Sequence, residues 1–232
     1  MSLLYCELFD KEISKAGFIN KNYPIKDLMI SDKKWTPKKE KILKNNSKNI
    51  FIYRAKAVKW LHSLVTTDIS YASISNAIEI IDMFLSNNFV HESQIKLLAI
   101  TSLVLSSKYY DDDALEPLFI HSMCNEYPME DLIEAERELL IFLDWKISQV
   151  TPYTYISNLD ITDDIREVSL MIYERFSIRK SFVDQSPVDI SIVCIFFAHR
   201  LLGEIADNSY LYAFISILLP NGPTLEWFKH LL

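Results

Sequence analysis

The 232-residue chain carries a net charge of −7, half of its residues are hydrophobic, 12% are aromatic and only three are glycine. That composition excludes a disordered chain and argues against general nucleic-acid binding, which needs a basic surface. Scarce glycine leaves little room for tight turns or a phosphate-cradling loop, which favours an all-α chain. Cys6, Cys124 and Cys194 are widely spaced and form no CxxC pair, so neither a disulfide framework nor structural zinc is expected. A reducing, intracellular setting fits, nuclear or cytoplasmic. Nothing at the start of the chain reads as a signal peptide, and no apolar run reaches the roughly 18 residues of a membrane span.

Residues 1–48 read as an N-terminal extension. Leu3, Leu4, Leu8 and Ile13 suit a short amphipathic helix before Gly17, and Lys33, Lys34, Lys38, Lys39, Lys41, Lys44 and Lys48 then crowd a stretch expected to be solvated. Five segments with helical spacing follow: Ile52–Val65, Ser70–Asn87, His91–Tyr109, about 114–124, and Met129–Leu143. The third is apolar almost all round from Leu97, as a helix enclosed by others would be. Thr151-Pro152 marks a junction, because proline restricts the residue before it. Beyond it lie candidate helices Pro152–Asn158, Asp163–Ile178, Pro187–Leu202, Ser209–Leu219 and Thr224–Leu232. Ser186-Pro187 offers a capping hydroxyl before a first-turn proline, and Gly203 a stop. Two sets of five helices, each centred on its third member, read as an internal duplication. The expected boundaries are 49–150 and 151–232.

Within the first set, Tyr53-Arg54-Ala55 with Trp60-Leu61, Ile81-Asp82-Met83-Phe84-Leu85-Ser86, Leu97, Ser106-Ser107-Lys108-Tyr109, and Glu136 before Leu143-Asp144-Trp145 stand in a fixed order and spacing. Together they resemble the cyclin box, from about residue 50 to 156. The last 75 residues are similar only in helical layout, with Thr224-Leu225-Glu226 like the opening of the family's last helix. The resemblance implies two tandem five-helix cyclin folds, the second with a short last helix, and a non-catalytic regulatory subunit of a Ser/Thr protein kinase. Its partner would be a cyclin-dependent kinase, whose PSTAIRE-type C-helix would be held in the active position. Arg54 and Asp82 are then a structural ion pair between the first two helices. Lys108 and Glu136 would lie on the kinase-facing surface, ringed by Leu105, Tyr109, Leu140, Trp145 and Ile147. No cofactor, metal, nucleic acid or membrane is implied.

Departures from the family bear on specificity. Many cell-cycle cyclins dock Arg-x-Leu motifs on their first helix. The matching patch here is Tyr53, Lys56, Ala57, Trp60 and Lys96, with Ser63 in place of an acid, so such docking is expected to be absent or to favour acidic ligands. Tyr110-Asp111-Asp112-Asp113 replaces a usual glutamate pair and is similar to Pho80-like and Y-type cyclins, leaving the subgroup open, transcription-type cyclins included. Leu3-Leu4-Tyr5-Cys6-Glu7 resembles Leu-x-Cys-x-Glu, but Tyr5 occupies the cysteine position. A TFIIB-like double cyclin fold is the rival from another class, and it should carry a zinc ribbon and a basic surface. Thr36-Pro37-Lys38-Lys39 is similar to a site such kinases modify, which makes Thr36 a candidate phosphosite. The five histidines lack ligand spacing, and no GxGxxG, P-loop, nucleophile elbow or HExxH is present.

Overall fold

A computed structural model describes residues 37–65, 69–112, 115, 119, 126–159 and 161–203. The expected N-terminal amphipathic helix, Thr36, Cys6, Cys124, Asp113, nearly all of the segment 114–124 and the last two helices lie outside the described residues. Among those described, every regular element is helical: α1 Lys39–Asn45, α2 Ile50–His62, α3 Tyr71–Asn87, α4 Ile95–Tyr110, α5 Met129–Phe142, α6 Pro152–Asn158, α7 Asp163–Ser177 and α8 Pro187–Leu201. Short 3-10 turns, Glu92–Gln94 and Lys180–Phe182, precede α4 and α8.

The helix ends follow local chemistry. Ser70, Thr151, Thr162 and Ser186 each accept the backbone N–H three residues on, at the starts of α3, α6, α7 and α8. Pro152 and Pro187 occupy first helical positions. Gly203, at φ +77, follows the end of α8 where a left-handed residue is needed. The third sequence segment divides: His91 caps the 3-10 turn, and α4 proper begins at Ile95.

Helix α4 is buried from Leu98 through Ser107. Two of the four hydroxyls in that stretch are satisfied within the helix, Thr101 Oγ1 donating to Leu97 O at 2.8 Å and Ser106 Oγ to Ser102 O at 2.8 Å. Helices α2, α3 and α5 pack on it, giving a core that includes Ile50, Val58, Leu61, Ile74, Ile81, Leu103 and Leu139. A second core gathers Ile156, Ile165, Phe176, Val193, Cys194 and Phe197 from α6, α7 and α8, with α8 the most enclosed. Asn76 holds the connection between them, donating to Ile147 O at 3.2 Å and accepting from Gln149 N at 2.9 Å.

The lysine-rich stretch contains structure that the sequence expectation placed outside the folded part. Helix α1 has seven residues, too few to persist alone. It is held by Ile42, fully buried in the first core, which contributes about 1.5–3 kcal/mol. Lys38 N donates to Ser86 Oγ at 3.1 Å, and Lys39 pairs with Asp184 from the loop before α8. Lys38, Lys41, Lys44 and Lys48 do face solvent.

Candidate functional site

Lys108 is the first exposed residue after the buried length of α4, in the last turn, where a cation complements the helix dipole. Its Nζ lies 2.5 Å from Glu136 Oε1 on α5, the side chains being 46% and 23% exposed. Around them Tyr109 and Trp145 are exposed, and Leu140 and Ile147 half-buried. Tyr109 meets the edge of Tyr110, whose hydroxyl is 2.7 Å from Ser148 Oγ. Leu105 differs from expectation. It is 2% exposed within the first core, because α4 is enclosed all round at that point, and it offers no surface to a partner.

Two exposed apolar residues on α5 were missed from sequence, Ile133 and Ile141. The signal was present: Leu132, Leu139 and Leu143 form the buried stripe, and Ile133 and Ile141 fall out of phase with it.

The presentation of Trp145 is built into the backbone. Asp144 and Trp145 have φ of 51° and 61°, left-handed values that are unusual for a bulky residue and cost of order 1–3 kcal/mol each. Asp144 N bonds Ile141 O at 3.1 Å and Trp145 N bonds Leu140 O at 3.0 Å, a Schellman closure of α5. Lys146 N to Leu143 O at 3.0 Å, and Lys146 Nζ to Asp144 Oδ2 at 2.9 Å, fix the turn. The indole emerges from it 71% exposed.

Arg54 and Asp82 join α2 to α3 in the interior. The guanidinium donates through Nε and Nη2 to both carboxylate oxygens, each at 2.5 Å, with the two side chains 2% and 5% exposed. Nη1 donates to Ser177 O at 2.8 Å, at the C-terminus of α7. Burial alone would lower the pKa of Arg54, but the Asp82 carboxylate outweighs it and the pKa is raised. Beside it His62 Nε2 lies 2.7 Å from Ser177 Oγ, and Tyr173 OH 2.9 Å from Ser75 Oγ. The His62 pKa falls to about 4, first through burial and then through the Arg54 charge.

At the expected docking patch Ala57 is buried, Trp60 and Tyr53 are half-buried, and the Lys56 ammonium lies 5.3 Å from the Tyr53 ring centroid. Lys96 pairs with Glu126 at 2.8 Å, so the expected repulsion of a basic ligand rests on Lys56. Asp111 is tied down, accepting from Ser70 N at 3.3 Å and Ser73 Oγ at 2.8 Å.

The family model described as Cyclin, N-terminal domain matches residues 25–148, more than half of the chain. The chain belongs to the cyclin family. Cyclin puc1 of Schizosaccharomyces pombe is 34% identical over 96 residues, covering 40% of this chain and 27% of that protein. The G2/mitotic-specific cyclin cig1 of the same yeast is 24% identical over 137 residues, 56% of this chain and 32% of its own length. G2/mitotic-specific cyclin-1 of Saccharomyces cerevisiae is 25% identical over 135 residues, 55% and 28% respectively. The matched segments thus span about a third or less of these relatives. The crystal structure of a viral cyclin from herpesvirus saimiri superposes with a TM-score of 0.68 at 14% identity, over 83% of this chain and 87% of that one. The cyclin fold therefore accounts for this helical arrangement, and both ion pairs sit within the matched cyclin segment.

Proposed function

We propose that this cyclin is the non-catalytic regulatory subunit of a cyclin-dependent protein kinase, forming a heterodimer through the face around Lys108 and Glu136. The observation that carries the proposal is a half-solvated ion pair joining α4 to α5, two helices that also carry exposed apolar side chains. Tyr109, Ile133 and Ile141 on those helices and Trp145 after α5 are exposed, with Leu140 and Ile147 half-covered. An apolar centre holding a few aimed polar groups is the anatomy of a strong protein interface.

On this reading Lys108 and Glu136 contact polar groups around the kinase C-helix, and Tyr109, Leu140, Trp145 and Ile147 pack against its apolar side. Docking selects the inward position of that helix, in which its glutamate reaches the phosphate-binding lysine. The cyclin contributes binding energy and no reacting group. The second core, in α6 to α8, is read as the start of a tandem second cyclin fold from residue 151. Support for this comes from its central α8 and from a fold likeness covering 83% of the chain.

The transcription-type or Pho80-like alternative rests on the stretch Tyr110-Asp111-Asp112-Asp113, of which Asp111 accepts from Ser70 N and Ser73 Oγ at the start of α3. The test is to mix the purified protein with each cyclin-dependent kinase of its own organism and follow phosphorylation of a Ser-Pro or Thr-Pro peptide. One kinase is expected to bind and to gain activity many-fold, while the cyclin alone transfers no phosphate. A panel in which no kinase is bound or activated overturns the proposal.

A further inference from the structure

Lys108 stands about 20 Å along α4 from the helix's N-terminal end. Near that other end, three chain segments are tied into one corner. The Asn46 side chain donates to Ile42 O at 3.1 Å, Leu85 O at 2.9 Å and Asn88 O at 3.2 Å, and accepts from Val90 N at 2.7 Å. Ser47 Oγ donates to Glu92 Oε1 at 2.5 Å, and the Glu92 carboxylate raises the pKa of the Tyr53 hydroxyl. These contacts bring together the end of α1, the first turn of α2 and the loop after α3.

Each of the three segments leaves a large apolar side chain in water: Leu43 on α1, Ile52 on α2, and Phe89 in the loop, the last 70% exposed. Phe89 sits between the two residues that Asn46 grips, so its backbone is held while its ring is free. Lys41, Lys44 and Lys48, in α1 and the turn after it, are exposed and make no ion pair with a described residue. Of the acids nearby, Glu40 is exposed on α1, and Glu92 accepts from Ser47. The corner is therefore apolar with a positive rim, on a chain whose net charge is −7.

We propose that this corner docks a short segment of a partner protein in which leucine- or phenylalanine-type residues are flanked by aspartate and glutamate. The apolar trio supplies anchors, and the lysines favour acids and penalise a basic segment. A second copy of the chain is disfavoured by the same charges, since a two-fold interface on this corner would set one lysine rim against the other. The surface is separate from Lys108 and Glu136 and does not depend on the kinase assignment.

The test uses the full chain and a fluorescein-labelled peptide with leucine and phenylalanine at helical spacing and aspartate and glutamate between them. A twin peptide carries lysine for each acid. Fluorescence anisotropy is expected to show saturable binding of the acidic peptide only, weaker at high salt. Binding should fall about tenfold or more in Phe89→Ser and in Lys44→Glu/Lys48→Glu, and stay unchanged in Lys108→Ala. The proposal is overturned by any of four results. These are no saturable binding, equal binding of the lysine twin, or full binding by Phe89→Ser and Ile52→Ser variants whose melting is unchanged. The fourth is a Phe89-dependent dimer, or sedimentation with phosphatidylserine vesicles, in place of peptide binding.

Discussion

Arg54–Asp82 and Lys108–Glu136 each join residues 28 apart in the chain, and each closes at 2.5 Å. Their surroundings differ. The first pair is 2% and 5% exposed, and its remaining donor is used on the carbonyl of Ser177. The second is 46% and 23% exposed, with exposed Tyr109 next to Lys108 in α4 and exposed Trp145 just after α5. The difference teaches that a short ion-pair distance says little about what the pair contributes. A desolvated pair with all three guanidinium nitrogens bonded holds the fold, and losing one partner strands a charge in the core. A solvated pair adds about 0–1 kcal/mol to stability, so its persistence calls for another reason.

The largest effect should come from breaking the interior pair. Asp82→Ala leaves Arg54 uncompensated and should cost about 3–5 kcal/mol, whereas Glu136→Ala should change stability by under about 1 kcal/mol. Thermal melting followed by circular dichroism measures both, and equal losses would erase the distinction between the pairs. The second effect reverses the order. Lys108→Ala or Glu136→Ala should weaken kinase binding by about tens of fold, from the roughly 2–5 kcal/mol lost when a charge pair is cut at an interface. Calorimetric titration against the cognate kinase reads this, and binding at unaltered strength would return the pair to a local structural role.

A third prediction sharpens the interior side of the comparison through pH. His62 has its pKa lowered to about 4 when folded, against 6.5 ordinarily, so between these values the unfolded chain binds more protons. Stability from this group is complete above about pH 6.5 and is lost as pH falls toward 4, by about 2–3 kcal/mol. Asp189, raised to about 6 by burial, contributes with the opposite sign, being lost as pH rises from about 4 to 6. The readout is therefore the difference in denaturation free energy between the unaltered protein and His62→Gln across that window. A difference independent of pH would remove His62 from the seam between α2 and α7.

The smallest effect concerns the exposed side. Asp144→Gly relieves a left-handed non-glycine residue at the end of α5 and should stabilise by about 0.5–1 kcal/mol. Melting checks the gain. A loss would mean that the Lys146–Asp144 contact outweighs the relieved strain.

Among the described residues, most of the helical layout was legible because the apolar spacing and the caps agree. Ser70, Thr151 with Pro152, and Ser186 with Pro187 mark their helices by chemistry that acts over three residues. Helix α1 was not legible, since Ile42 and Asn46 do their work through contacts with α3 and its loop while lysines dominate the stretch between. At the candidate site, the meeting of Lys108 and Glu136 could be anticipated from family spacing. The burial of Leu105 was foreshadowed by a helix apolar almost all round, whereas the left-handed pair at Asp144 and Trp145 was not, because it depends on how α5 ends. Nor did anything local announce that Arg54 would reach α7, a contact between residues 123 apart.

That reach sets a timetable for synthesis. Residues 54 and 82 leave the ribosome early, but the carbonyl that satisfies the third guanidinium arm follows only 123 residues after the arginine. At about 5–20 residues per second, the nascent N-terminal helices wait roughly 6–25 s with a half-satisfied cation at their centre. A translational pause before Ser177 emerges lengthens that interval, and a premature stop makes it permanent.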